Sequence, residues 1–424
     1  MKYYNRASSN TTNNDRWIVE HIFPNEYGKF FIEAGACNGI YASSCYVLEN
    51  YLQWTGICIE PNDSYFQELV KNRPHSICEN LCLSSSNESV TYLEGERSRV
   101  HPMLGGIKAN LIKYKNDSQE IVNKGREVSK KAITLVELLK KHRAPQVIHY
   151  LAMDIEGSEF PVLEKFPFEE YRILAISIEG TKCNDLLVSK GYVIVKNPFN
   201  RDHLYEQYFL HESIAWQKNI KISPEYYVSL GNNFKCSKQV SQAIAAYQKA
   251  IEIEPNNFLI YFYLASYLEE QGDLVEAIAI YQQAIEINPQ TPAWLYGNLG
   301  NTWQKQGRFN RAITAYQQAI STEANPPTWI YYNLGDIFQH QEKLDQAIAV
   351  YQKAIAIDPK PPAWLYGNLG IALQKQGRLD EAIAAYQKAI AIEPEPSAWI
   401  YDNLSDILNE KDKLDVAILE GNMI

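Results

Sequence analysis

Three short stretches place acids where chemistry can use them. In FIEAGACNGIY (Phe31 to Tyr41) an apolar run ends in Glu33, and Gly35 and Gly39 follow. In TGICIEP a second apolar run ends in Glu60 and Pro61. In VIHYLAMDIEGSE a third ends in Asp154, Glu156 and Glu159. A carboxylate at the end of a buried strand can accept hydrogen bonds from a ligand's hydroxyls or take a proton from one. Gly35 permits a tight bend, and Gly39 lets backbone approach a ligand closely. Ser43 or Ser44 can cap the helix that follows.

The elements that must position these acids alternate. KFFIEA, TGICIE, VIHYLAMDI, RILAISIE and GYVIVKNP are short apolar runs. SSCYVLENYLQ, ITLVELLKKH, EFPVLEKF and CNDLLVSK have helical patterns. Such alternation predicts an α/β domain with a mostly parallel sheet and helices on both faces. In an open parallel sheet, ligands bind outside the carboxyl ends of the strands. Glu33, Glu60 and Asp154 all fall on that edge.

Two ligand classes use a glycine bend after a first strand. A dinucleotide site, and with it a nicotinamide oxidoreductase, would need GxGxxG. Here the chain reads G-A-C-N-G, with Cys37 in the second glycine slot. The spacing of acid, x, G, xxx, G looks instead like the first motif of Rossmann-like methyltransferases, where the bend holds the amino-acid end of S-adenosylmethionine. Glu60, ending the next strand, can accept hydrogen bonds from two ribose hydroxyls.

From Trp17 to Tyr208 the chain resembles the FkbM-type methyltransferases. The resemblance rests on Gly35 to Gly39, Leu48-Glu49, Trp54 to Gly56 (with Gln53 where the family has glycine), Glu60-Pro61-Asn62 and the box from Asp154 to Glu159. Glu33 replaces an aspartate common in the family. The resemblance implies a Rossmann-like fold, S-adenosyl-L-methionine as methyl donor, and methyl transfer to oxygen. It implies that Glu33, Gly35, Ala36 and Gly39 form the cofactor loop and that Glu60 and Pro61 meet the ribose. Glu79 or Asn80, in CENLCLSS after the third strand, would stand near the adenine.

Asp154 would face the methyl as general base, as ligand of a divalent cation that acidifies the acceptor hydroxyl, or as an anchor for loops and cofactor. Oxygen ligands would suit Mg²⁺, and no histidine cluster supports a transition metal. Glu156 is a second catalytic candidate, although it or Glu159 can simply be an acid at a helix N-terminus. Glu179 ends the next strand and faces the acceptor or solvent. His149, inside a strand, reads as a packed core histidine. His101, in VHPMLGGI, is freer to reach a substrate, and that loop reads as a lid hinged at Gly105-Gly106.

The C-terminal half has a different grammar. Trp294, Trp329, Trp364 and Trp399 stand 35 residues apart, and Tyr247, Tyr281, Tyr316, Tyr351 and Tyr386 march with them. Ala382, Tyr386 and Ala389 share one helical face, and Pro394 stops the helix. This closely resembles the tetratricopeptide repeat, with Ala324 where a proline is expected. Five full repeats and a partial sixth predict an all-α solenoid with a concave surface. The expected domains are 1–222 and 223–424. Asn298, Asn333, Asn368 and Asn403 recur at one slot that the resemblance puts in the groove. There an amide ladder could grip a protein or peptide backbone, or meet only water. The Trp series reads as packing between repeats.

Composition closes off other classes. The formal net charge is −10, which argues against a broad nucleic-acid footprint and against anionic lipid. No apolar run is long enough to span a membrane, and MKYYNRASSN lacks the apolar core of a signal peptide. Seven cysteines without a CxxC pair read as buried thiols in a reducing compartment, so the expected location is the cytoplasm. The reading is an O-methyltransferase for a sugar or other small hydroxyl acceptor, docked to a partner by its repeats. The alternative is a non-catalytic repeat scaffold carrying a degenerate methyltransferase-like domain.

Overall fold

A computed structural model describes residues 13–40, 43–94, 105–114, 122–123, 125–200, 206–218, 220–393 and 398–421. The chain divides into two compact units, Met1–Ile253 and Glu254–Ile424. His101 and Pro394 lie outside the described residues.

The first unit is built on seven strands: β1 (Phe30–Ala34), β2 (Thr55–Ile59), β3 (Ile77–Glu79), β9 (Val147–Met153), β10 (Arg172–Glu179), β11 (Tyr192–Val195) and β12 (Glu206–His211). Their order across the sheet is β11-β12-β10-β9-β1-β2-β3. The five strands from β10 to β3 run parallel, and β12 is antiparallel to both its neighbours. Glu33 lies opposite Cys58 on one side and Ala152 on the other. That register aligns the strand ends, so the residues after β1, β2 and β9 share one edge.

Both faces of the sheet are buried, which explains why its strands read as continuous apolar runs. On one face Ile32, Ile57, Leu151 and Ile176 pack against Leu135, Leu138, Leu139 and Leu163. On the other Phe31, Cys58, Tyr150 and Ala175 pack against Trp17, Ile18, Val47, Leu48 and Trp54. Five of the seven cysteines are buried and all are free thiols.

Between β3 and β9 the chain forms two further sheets. One pairs β4 (Cys82–Leu83) with β8 (Ala132–Ile133). The other has the order β6-β5-β7, with β5 (Val90–Glu94) flanked antiparallel by β6 (Gly105–Ile107) and β7 (Arg126–Lys130). Gly105 and Gly106 are therefore paired strand residues and not a lid hinge. A Cβ on Gly105 would stand 2.5 Å from the Tyr92 hydroxyl and 2.9 Å from the backbone carbonyl of Leu93, which favours a glycine there.

The first helical hairpin, Pro224–Cys236 with Val240–Ile253, belongs to the α/β unit and moves the division one hairpin past the composition boundary. Tyr226 and Leu230 pack on the core that holds Leu187 and Val188. Asn232 donates to the Asp185 carboxylate at 3.1 Å, and Asn233 donates to the Asp185 carbonyl at 3.0 Å.

The second unit stacks helix pairs from Phe258–Glu270 and Leu274–Ile287 through Ala363–Lys375 and Leu379–Ile392, followed by Ala398–Gly421. Within a pair, a glycine lets the facing tyrosine ring approach. A Cβ on Gly300, Gly335 or Gly370 would stand 2.6, 2.5 or 2.6 Å from the ring of Tyr316, Tyr351 or Tyr386. Between repeats, Trp329 and Trp399 lie where Cβ atoms on Gly297 and Gly367 would be. Where that slot is aromatic, the rings meet edge to face: Phe262 with Trp294 at 4.8 Å and Tyr332 with Trp364 at 4.7 Å. The tryptophans thus join repeats, as their spacing predicts. No described helix is long and apolar enough to cross a membrane.

Packing of the first hairpin yields a prediction. A chain ending at residue 253 melts cooperatively near the temperature of the full-length α/β unit. A chain ending at 222 uncovers the apolar patch under Tyr226 and Leu230 and loses about 2–4 kcal/mol, each side chain contributing roughly 1.5–3 kcal/mol before relaxation. Equal melting temperatures for the two truncations would refute it.

Candidate active site at the carboxyl edge of the large sheet

The loop after β1 is shaped by what lies beside and beneath it. The amides of Gly35 and Ala36 both donate to the carbonyl of Ile59 at 3.0 Å. Asp154 N donates to the Ala34 carbonyl at 3.0 Å. Gly35 has φ +84°, and a Cβ there would fall on the backbone carbonyl of Asp154. Cys37 follows with φ +50°, a conformation more natural to glycine. Its residue type departs from a glycine-rich loop while its backbone does not. Gly39 has φ +79°, and the space a Cβ would need is filled by Arg73 Cγ at 2.7 Å and Leu69 Cδ1 at 2.8 Å. Packed side chains claim that space, and Gly39 does not line the cavity described below. Ala36 is fully buried behind the turn, its carbonyl accepting from Gly39 N at 2.9 Å.

Glu33 also has work of its own. It is 3% exposed. Oε1 accepts from Ser44 N at 2.5 Å and Cys45 N at 3.2 Å. Oε2 accepts from Arg73 Nη1 at 2.9 Å, and the Ser43 hydroxyl lies 2.9 and 3.0 Å from the two oxygens. Ser43 Oγ in turn accepts from Tyr46 N at 3.0 Å. The acid and the serine together satisfy the free amides at the start of helix Tyr46–Leu52, where negative charge is favoured. Glu33 borders the cavity described below, but its acceptor positions face the protein.

Glu60 is placed differently. Oε2 accepts from Cys37 N at 2.8 Å and Oε1 from Asn62 N at 2.7 Å. One bond comes from each loop, so the carboxylate clasps the β1 and β2 turns together and lines the cavity. Burial pushes its pKa up to about 7, against the pull of the two backbone N–H groups. Each oxygen has capacity for a further donor.

The two residues expected near a base do other things. Glu79 is held by Lys141 Nζ and His142 Nε2, both at 2.5 Å, and does not line the cavity. Asn80 Nδ2 donates to the carbonyls of Glu60 at 3.1 Å and Pro61 at 3.3 Å, fixing the turn without lining it. The neighbouring wall consists of Leu81, Cys82, Leu83, Tyr92 and Ile107.

These parts enclose a cavity of about 200 Å³ that takes in Gly35, Cys37, Glu60, Pro61, Asp154 and Glu156. The loop after β9 reverses sharply, with Glu156 at φ +55° and Gly157 at φ +90°. Carboxylate oxygens of Asp154, Glu156 and Glu179 lie within 4.8 Å of one another. Acidic trios of this kind also occur without an ion, and this one carries no metal assignment. Glu159 is 5% exposed and ties the loop by accepting from Ile155 N at 2.8 Å. Burial pushes its pKa up to about 7, with the charges of Asp154 and Glu179 adding to the effect. His149 packs against Phe23 and Trp54 with centroids at 5.9 and 6.0 Å, and partial burial holds its pKa below the usual value.

The cavity is also lined by four residues that sequence reasoning missed as ligand candidates: Asn14, Ser44, Ser177 and Glu206. Asn14 Nδ2 donates to Glu206 Oε1 and, at 3.2 Å, to Ser44 Oγ. Tyr208 lies behind, its hydroxyl 2.8 Å from Asn14 Oδ1 and 2.9 Å from Glu206 Oε2. Ser177 shares a hydrogen bond of 2.7 Å with Tyr150. Asn14 precedes β1 and Glu206 opens β12, so no local motif links them.

On the repeat unit the asparagine series is half-buried. Asn298 and Asn403 turn their amide donors back to the carbonyls of Trp294 and Trp399, both at 2.8 Å. Asn333 donates to Asn301 Oδ1 at 2.6 Å. In these three, at least one amide hydrogen is used within the protein.

Comparison with known proteins finds matches to two kinds of family. Residues 33–187 match the family of the methyltransferase FkbM domain. Tetratricopeptide-repeat models match residues 231–272, 257–322, 335–377 and 363–396. No curated protein matches the chain. Among solved structures it is similar to the MamA protein, with 27% identity over 40% of this chain and 92% of that one and a TM-score of 0.37. It is also similar to YrrB, described as a TPR protein with an unusual peptide-binding site (20% identity, 44% and 91% covered, TM-score 0.35). A third is pilF of Pseudomonas aeruginosa (19% identity, 47% and 89% covered, TM-score 0.38).

The clasp between the β1 and β9 loops gives a paired prediction. Gly35→Ala costs about 2–4 kcal/mol, because a positive φ and a backbone collision add. Gly180→Ala, at φ +81° with nothing within 4 Å, costs only about 1 kcal/mol. Urea melts of the two variants decide it, and equal losses would refute the collision.

Proposed function

The chain joins an FkbM methyltransferase domain to tetratricopeptide repeats, and on that premise we propose an S-adenosylmethionine-dependent O-methyltransferase for a sugar or other small hydroxyl acceptor. The observation that carries the reading is Glu60. Its carboxylate lies in the cavity wall with each oxygen already oriented by one backbone N–H. The remaining lone pairs suit a vicinal diol, which offers two hydroxyl donors side by side. The flanking Leu81, Leu83 and Tyr92 suit a flat, mostly apolar ring, and the turn from Gly35 to Cys37 offers backbone beside it. The donor set therefore fits a nucleoside. When bound, the sulfonium compound supplies an activated methyl group.

The rest falls to the protein. Transfer to an alcohol needs the acceptor oriented and its proton removed. Asp154, exposed at the rim of the same cavity, is our candidate base or orienting acceptor, with Glu156 and His101 as further candidates. A positioned base contributes about 10²–10⁴-fold. Positioning supplies the remainder, since the leaving group is already good. The repeats would dock the enzyme to a protein or peptide. The Oδ1 atoms of Asn298, Asn333, Asn368 and Asn403 would accept from its backbone. The donor half of that ladder is reduced by the bonds that Asn298, Asn333 and Asn403 make inside the unit.

Two measurements test this reading. Glu60→Ala lowers S-adenosylmethionine affinity at least about tenfold by calorimetry, for the loss of a charge-assisted contact worth roughly 1.5–3 kcal/mol. Because the ionised carboxylate is the acceptor and its pKa in the free protein is about 7, wild-type affinity falls about tenfold from pH 8 to pH 6. In Glu60→Gln that slope flattens. A pH-independent wild-type affinity would remove Glu60 from the site. Asp154→Asn lowers methyl transfer at least about 100-fold while donor affinity holds. Labelled donor incubated with host extract supplies the acceptor for that assay. Wild-type transfer rates in Asp154→Asn would exclude it as base.

A further inference from the structure

We propose that Arg73 is the positioning residue of the donor loop: anchored on Glu49, its guanidinium braces the turn after β1 through Glu33, Gly39 and Ser43. This rests on the reading above that the turn holds the methyl donor. Arg73 does not line the cavity, so its effect must pass through the loop.

Arg73 follows helix Asp63–Asn72 and is 1% exposed. Nε donates to Glu49 Oε2 at 2.5 Å, and Glu49 Oε1 is fixed by His75 N at 2.9 Å. Nη1 reaches Glu33 Oε2 at 2.9 Å, Ser43 Oγ at 3.0 Å and, more weakly, the Gly39 carbonyl at 3.4 Å. The guanidinium carbon lies 5.3 Å from the centre of the Phe31 ring. Asn72 adds a second grip, its Nδ2 donating to the Asn38 carbonyl at 2.7 Å. Two consecutive residues at one helix end thus hold two consecutive carbonyls of the loop.

The arrangement is costly. One buried guanidinium faces two buried carboxylates, and Nη2 is buried without a partner among the described residues. Buried ion pairs seldom stabilise a protein relative to well-packed apolar groups. Geometry is what such a group supplies here. It occupies the space under Gly39 and fixes where the loop's carbonyls and amides point.

The test uses the full chain and two readouts. In Arg73→Met, S-adenosylmethionine affinity by calorimetry falls at least tenfold. Amide exchange in the peptide spanning residues 35–46 rises, while exchange in β9 and β10 does not. Arg73→Lys recovers part of both. The double variant Glu33→Gln/Arg73→Met neutralises one of the two carboxylates left uncompensated, the one beside the loop, so it regains part of the melting temperature lost in Arg73→Met without regaining affinity. It also carries the test if Arg73→Met fails to fold. Affinity that returns together with melting temperature would make Arg73 a fold residue only. Unchanged exchange over 35–46 would equally overturn the brace. The exchange arm needs no ligand, so a wild-type chain that gives no heat with the donor would sink the donor reading and leave the brace to be judged on exchange.

Discussion

Where β1 and β9 leave the sheet, their backbones come too close for a side chain. Asp154 N bonds to the carbonyl of Ala34, and the Asp154 carbonyl stands where a Cβ on Gly35 would be. Only glycine at a positive φ meets that constraint. Its consequence is spatial. The chain after Gly35 turns toward β2, where Ile59 takes two of its amides and Glu60 takes a third from Cys37. The chain after Asp154 turns the other way, toward Glu179. The opening between these diverging loops is the cavity. It follows from parallel strands packed at close spacing whose connections leave in opposite directions.

Around that opening, similar carboxylates act differently because their surroundings differ. Glu33 is saturated by a serine, two amides and a guanidinium, and serves as helix cap and counter-ion. Glu60 has one backbone donor per oxygen and a buried position that leaves it poised near neutrality. Glu159 is buried and ties its own loop. Glu79 is drawn off by Lys141 and His142. Asp154 is exposed at the rim. Residue type alone does not separate these roles. The number of donors already supplied by the protein does, because an oxygen whose lone pairs are filled has nothing left for a ligand.

That rule also explains what the sequence made legible. Strand ends can be read from apolar runs, so Gly35, Glu60 and Asp154 could be assigned to one edge. The mostly parallel sheet and the repeat period follow from patterns of similar strength. Glu33 was placed on the edge correctly, but its partners were not readable: Arg73 lies 40 residues away and arrives by tertiary packing. The space beside Gly39 is likewise unreadable: Leu69 of helix Asp63–Asn72 and Arg73 just after it fill it, and both arrive by tertiary packing. Asn14 and Glu206 meet over 192 residues, joined by an antiparallel strand that inserts between β10 and β11. The β5–β7 sheet was missed because VTYLE and REVSK are half polar and short.

The repeats show the same logic in a simpler setting. A helix hairpin with one apolar stripe needs another surface to cover it. For most hairpins here that surface is the next repeat, and the 35-residue spacing of tryptophans records it. The slot under each tryptophan alternates between an aromatic ring and glycine: Phe262, Gly297, Tyr332, Gly367. A ring meets the tryptophan edge to face, whereas glycine admits it fully, so either choice closes the interface. The first hairpin instead lays Tyr226 and Leu230 on the α/β core and bonds Asn232 and Asn233 to Asp185. Its sequence obeys the repeat pattern, yet the surface covering it is the α/β unit's own. A boundary drawn from repeat grammar and one drawn from contacts within the structure therefore differ by this one hairpin.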